Sequence, residues 1–95
     1  MLAAMPFKRV EIKIAGLVQG VFFRQGVKAE AERLGIIGFV KNQADGSVWI
    51  MAEAEEEDLQ KLVEWCRKGT SWAKVEQVEI NWKEATGEFS EFTIS

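Results

Sequence analysis

Arg24 stands where an alternating segment gives way to a helical one, directly after the glycine-punctuated stretch Gly16-Leu17-Val18-Gln19-Gly20-Val21-Phe22-Phe23. Backbone N–H groups in such a loop at a helix N-terminus form an anion site, and an arginine beside them completes it. A cation in a first helical turn opposes the helix dipole, which is unfavourable unless an anion sits nearby. A guanidinium fork grips two phosphate oxygens at once. The amides of Gln19, Gly20, Val21, Phe22 and Phe23 then close around the remaining oxygens. Gly20 is the more telling glycine, because a side chain there blocks close approach of the backbone to an anion. The Gln19 amide either buttresses the loop or faces water. Taken alone, Arg24 also reads as an exposed charge at a helix start, and Gly16 and Gly20 as the shapers of a tight loop.

The chain contains no histidine. That excludes a Ser-His or Cys-His nucleophilic pair, a phosphohistidine and a histidine metal ligand. Catalysis here must rest on positioning and fixed charge. A single cysteine, Cys66, allows no intrachain disulfide and no cysteine-based zinc cluster, so no metal is expected and an oxidising compartment is not indicated. The acidic run Glu55, Glu56, Glu57, Asp58 has no turn-and-ligand spacing of a calcium site.

The loop needs rigid elements on both sides, and the pattern supplies them. Val10, Ile12 and Ile14 alternate with Arg9, Glu11 and Lys13 from Arg9 to Ala15, as a half-buried strand does. Phe23, Val27, Ala31 and Leu34 then recur at helical spacing, with Lys28, Glu32 and Arg33 on the wet side and Gly35 as a stop. Residues 36–41 and 47–52 read as two strands around Asp45-Gly46, a dipeptide suited to a hairpin turn. The acidic run opens a second helix and Arg67 and Lys68 close it before Gly69, each charge complementing the dipole. Leu59, Leu62, Val63 and Cys66 line its apolar face. Val78, Ile80 and Trp82 alternate as a fourth strand, and residues 89–94 form an edge strand or tail. The order predicts an α+β, ferredoxin-like split βαβ sandwich (βαββαβ): an antiparallel sheet with two helices on one face. Fold alone licenses no activity, since this architecture also carries RNA-binding, metal-binding and regulatory domains.

At 95 residues the chain is read as one domain, 1–95, with residues 1–6 a flexible N-terminus. Its 47% hydrophobic and 28% charged content is that of an ordinary globular protein. The net charge of -3 and a pI near 5.0 argue against nucleic acid, which calls for a basic face. Met1 to Pro6 lacks the charged leader of a secretion signal, and no apolar run is long enough to span a membrane. A cytoplasmic protein is expected.

Gly16-x-Val18-Gln19-Gly20-Val21-x-Phe23-Arg24 resembles the first signature of the acylphosphatases, and Gly38-Phe39-Val40-Lys41-Asn42 followed by Gly46-Ser47-Val48 resembles the second. The resemblance runs to Gly87-Glu88-Phe89 and Phe92-Thr93-Ile94 and covers almost the whole chain. It implies the same ferredoxin-like fold, no cofactor, and hydrolysis of small acyl phosphates to a carboxylate and inorganic phosphate. It gives Arg24 the phosphoryl group and Asn42 the attacking water, which an amide can hold with one acceptor and two donors. By its residue type alone, Asn42 at a strand end beside a turn is there for local reasons. Inorganic phosphate and sulfate are expected as competing anions, and the chain as a monomer. Ala54 departs from the pattern where a glycine usually closes the second signature, and Gln25-Gly26 replaces bulkier residues. Gly26 in a first helical turn costs about 1 kcal/mol relative to alanine.

Other residues read more simply. Cys66 is core. Trp49, Trp65 and Trp82 fit packing positions, while Trp72, in Gly69-Thr70-Ser71-Trp72, is the odd one and covers a sheet edge or a partner surface. A small anion-binding or regulatory module anchored on Arg24 is the competing function. An RNA-binding domain is weaker, because the strands carry no aromatic RNP pattern.

Overall fold

The computed structural model describes residues 7–95; the expected flexible segment 1–6 lies outside the described residues. The elements are β1 (Phe7–Leu17), α1 (Phe23–Leu34), β2 (Ile37–Asn42), β3 (Val48–Glu55), α2 (Glu56–Lys68), β4 (Lys74–Glu84) and β5 (Phe92–Ile94). The five strands form one sheet in the order β4-β1-β3-β2-β5. Four of them pair antiparallel, as the βαββαβ pattern requires.

β5 changes the expected antiparallel sheet into a mixed one, because it joins the outer edge of β2 in parallel. After β4 at one edge, residues 85–91 cross the sheet face opposite the helices and enter beyond the other edge. Contacts mark the crossing. The Arg9 Nη2 donates to Thr86 Oγ1 (2.7 Å) and Glu88 Oε1 (2.9 Å), the Thr86 and Gly87 N–H groups donate to Glu53 (2.9 and 3.1 Å), and Phe89 meets Phe39 edge-on.

This crossing corrects the simple wet-side reading of β1. Arg9 and Glu11 are buried, at 8% and 9% exposure, and Glu53 is fully buried. Arg9 Nε donates to Glu53 Oε2 at 2.9 Å. Burial alone would raise the Glu53 pKa, but hydrogen bonds from the Thr86 N–H, Arg9 and the Gly87 N–H hold it below the usual carboxylate range.

The opposite face packs the helices. Val10, Ile12 and Ile14 of β1 and Ile50 and Ala52 of β3 meet Phe23, Val27 and Ala31 of α1 and Leu59, Leu62, Val63 and Cys66 of α2 in one core. Gly35 ends α1 in the left-handed conformation at φ 72. The Ile36 N–H reaches the Ala31 carbonyl at 2.8 Å and the Gly35 N–H the Glu32 carbonyl at 3.2 Å, satisfying carbonyls the helix leaves unpaired. Burial pushes the Cys66 thiol up, in keeping with a core residue.

Trp82 is not a packing residue: it is 42% exposed, on β4, which is an edge strand with no further strand beyond it among the described residues. Trp65 is half-buried and meets Phe23 edge-on, with centroids 5.5 Å apart. Its ring also explains Gly26. A Cβ there would lie 2.5 Å from Trp65 Cη2, so the glycine lets α2 close on α1. Ala54 needs no glycine; it is a buried residue of β3, paired with Lys8.

Candidate functional site

The connection from β1 to α1 is shaped by its backbone. Gly16 belongs to β1 rather than to the loop. It sits at φ 129 on a bulge against β4, where a Cβ would be 2.2 Å from the Lys74 carbonyl oxygen. Beyond it, Gly20 has φ 75 and Phe22 φ 63, while Val21 between them is not in the left-handed region. Alternating φ sign turns successive N–H groups toward one side, the geometry of an anion-binding nest. Phe22 is the one non-glycine residue with positive φ among the described residues. Such backbone costs about 1–3 kcal/mol and persists where the surroundings enforce it.

α1 then starts without the usual devices. Its N-cap residue, Phe22, makes no side-chain cap bond, and its first turn holds no acid, whereas α2 opens on Glu56, Glu57 and Asp58. Among the described residues, none of the hydrogen bonds outside the regular elements uses the N–H of Gly20, Val21, Phe22, Phe23, Arg24 or Gln25. Unpaired N–H groups with the positive end of the dipole behind them favour an anion.

A cleft of about 150 Å³ opens at this point, lined by Val18, Gly20, Phe22, Phe23, Arg24, Gln25 and Asn42. It brings Arg24 and Asn42, distant in sequence, to one place. Val18 and Gln25 line it too, though their residue types carried no signal. Gln19 and Val21 do not line the cleft and instead serve its walls. Gln19 Nε2 donates to the Gln43 carbonyl (2.8 Å) and the Ser47 carbonyl (2.9 Å), tying the loop to the β2–β3 turn. This decides between the two readings of its amide: it buttresses. Val21 is half-buried, and its carbonyl accepts from Thr70 Oγ1 at 2.7 Å.

That turn carries Asn42 at the end of β2. Gly46 takes φ 91, as expected of Asp45-Gly46, and Gln43 N–H reaches the Ser47 carbonyl at 2.8 Å. The Asp45 carboxylate accepts from the Ser47 hydroxyl and N–H and meets Lys13 at 3.1 Å. Together these interactions hold its pKa down at about 2, the Ser47 hydroxyl contributing most. Arg24 is braced from the other side: Nη1 donates to the Ser95 carbonyl oxygen at 3.1 Å, and Ser95 N–H in turn donates to Val40. Among the described residues the rest of the fork has no hydrogen-bond partner.

Asn42 Oδ1 is buried and has no hydrogen-bond partner among the described residues. An unpaired buried acceptor costs about 1–3 kcal/mol, so it calls for a donor from outside the protein. Among the described residues no group of three His, Cys, Asp or Glu side chains could hold a metal ion, and no helix is long and apolar enough to cross a membrane.

A nest, a braced arginine and an orphaned amide share one cleft on a ferredoxin-like frame, and comparison with known proteins gives the chain a family. A family model of the acylphosphatases matches residues 10–94. The chain is 44% identical over 91 residues to the acylphosphatase of Pyrobaculum arsenaticum, covering 95% of this chain and 96% of that one. It is 40% identical over 87 residues to that of Pelotomaculum thermopropionicum, covering 92% and 95%. The crystal structure of acylphosphatase from Bacillus subtilis superposes with a TM-score of 0.89 at 35% identity, covering 93% of this chain and 98% of that chain. The chain belongs to the acylphosphatase family.

Proposed function

We propose that this acylphosphatase-family enzyme hydrolyses the carboxyl–phosphate bond of small acyl phosphates, with Arg24 and the Gln19–Phe23 loop holding the phosphoryl group and Asn42 holding the water. The loop amides of Gly20, Phe22 and Phe23 donate to phosphoryl oxygens, Val21 keeps the loop in place between them, and the free part of the Arg24 fork takes two more oxygens. Gln19 contributes through its grip on the turn. Asn42 Oδ1 accepts one hydrogen bond from the water and aims its lone pair at phosphorus.

The chemistry asks little more. Water oxygen bonds to phosphorus as the bond from phosphorus to the acyl oxygen breaks. The leaving carboxylate is stable without protonation, so no general acid is needed. The water's proton passes to a phosphoryl oxygen and remains on the inorganic phosphate product. Fixed N–H donors and a guanidinium already placed around the phosphoryl oxygens lower the barrier without reorganising during the reaction.

The observation that carries the reading is the buried, unpaired Asn42 Oδ1 in the same cleft as Arg24. The chain is taken to act as a single-domain monomer, and a buried free thiol at Cys66 suits a cytoplasmic setting. Benzoyl phosphate hydrolysis tests the proposal. Turnover is expected, with inorganic phosphate and sulfate as competitive inhibitors because the nest recognises a tetrahedral oxyanion. Phosphate binding without turnover would instead make the chain an anion-binding module.

A further inference from the structure

Phe22 and Trp72 are the most exposed large hydrophobic residues described, at 61% and 66%. They are not scattered: their rings meet edge-on with centroids 5.6 Å apart. Phe22 also lines the cleft that holds Arg24 and Asn42. A continuous aromatic surface therefore runs from the anion site out to Trp72.

The segment carrying Trp72 is built against the site. A turn closed by Ala73 N–H on the Thr70 carbonyl (3.1 Å) holds Trp72 within it. Thr70 Oγ1 bonds the Val21 carbonyl (2.7 Å), and at Gly69 a Cβ would be 2.6 Å from Phe23 Cε2, so this backbone lies directly on the first turn of α1. On the other side, Phe22 is fixed in a left-handed conformation that glycine or asparagine would adopt with less strain. What phenylalanine adds there is its ring.

The cleft itself is small. At about 150 Å³ it is roughly half the lower end of the range for pockets that enclose drug-sized ligands, about 300 Å³. It suits the phosphoryl end of a substrate, while the acyl carbon is separated from phosphorus by one bridging oxygen. The acyl group must then leave across the rim.

We propose that the Phe22–Trp72 pair is the acyl subsite, selecting acyl phosphates whose acyl group is aromatic or otherwise flat and apolar. This rests on the acyl phosphate hydrolase reading. A ring placed against the pair completes an aromatic cluster and removes exposed apolar surface from water, whereas a methyl group reaches little of it.

The test compares kcat/KM for benzoyl phosphate and acetyl phosphate in the wild type, Trp72→Ala and Trp72→Phe. Trp72→Ala is expected to lower the benzoyl-to-acetyl ratio about twofold to tenfold, the worth of one aromatic contact, through KM for benzoyl phosphate. Trp72→Phe should restore most of the ratio, and inorganic phosphate, which has no acyl group, should inhibit all three proteins alike. An unchanged ratio, or equal losses on both substrates, would overturn the subsite and leave the hydrolase reading standing. A wild type that hydrolyses neither substrate would overturn both.

Discussion

Gln19→Glu separates the buttress from the anion loop more cleanly than a truncation, because it keeps the size of the side chain while replacing its N–H donors with a carboxylate. In the native protein Nε2 serves two carbonyls, of Gln43 and Ser47, at 2.8 and 2.9 Å. Each such bond contributes about 1 kcal/mol net, and the new carboxylate faces the two oxygens it replaced a donor for. The expected loss is about 2–3 kcal/mol, which lowers Tm by about 8–24 °C at about 4–8 °C per kcal/mol for a domain approaching 100 residues. Thermal unfolding at pH 7 reads this directly. The loss should shrink as pH falls, since protonating the introduced carboxyl restores one donor and removes its charge. Catalysis should suffer at temperatures where the variant stays folded. The β2–β3 turn carries Asn42, and a displacement of about 1 Å costs up to about 10²-fold in kcat. Inorganic phosphate should still inhibit, because the nest keeps its own N–H groups. A folded Gln19→Glu variant with wild-type Tm and kcat would refute the coupling of loop to turn.

Asn42→Ala removes the orphaned acceptor, so hydrolysis of benzoyl phosphate should fall about 10²–10³-fold while inhibition by inorganic phosphate stays near wild type; steady-state kinetics check both. Glu53→Ala leaves the buried Arg9 short of its partner and should cost about 3–5 kcal/mol in urea unfolding, though Glu88 still faces the guanidinium. Acid should act in the same direction. Glu53 and Asp45 both have folded pKa values below their ordinary ones, so their stabilisation is complete above the ordinary carboxylate range and is lost as pH falls through the folded values, near 2 for Asp45. A pH series of urea midpoints that stays flat from pH 5 to about 2 would contradict that sign. Gly26→Ala should destabilise despite a gain of about 1 kcal/mol in helix propensity, because its Cβ collides with the Trp65 ring; a raised Tm would show that the ring yields freely.

Much of the frame was legible because its signals are local. Leu59, Leu62, Val63 and Cys66 at helical spacing, the charges at the ends of α2 and the Asp45-Gly46 turn all appear where their chemistry placed them. What periodicity could not reveal depends on which segments meet. β1 alternates, yet residues 86–89 cover Arg9 on its outer face, and Glu11, between Arg9 and Lys83, is buried beside it. Nothing in the tail indicates that it enters in parallel beside β2. Trp82 continues the apolar rhythm of β4 on an edge strand that no other described strand covers. At the site, Arg24 and the glycine loop were readable from type and position, and Asn42 only through family resemblance. The Gln19 grip, the Trp65–Gly26 contact and the Phe22–Trp72 pair each join residues far apart in sequence, and no single residue of those contacts signals its partner.

In the proposed mechanism, phosphoryl transfer to water depends on Arg24 acting with the loop as one cradle. Benzoyl phosphate hydrolysis by Arg24→Ala, beside the wild type and Arg24→Lys, tests it most directly. Arg24 is half-buried at the surface of the cleft, so the variants should fold. Arg24→Ala should lose nearly all turnover and its inhibition by inorganic phosphate, and Arg24→Lys should recover only part, since an ammonium keeps the charge without the two-point fork. Near-normal hydrolysis by Arg24→Ala would contradict the account.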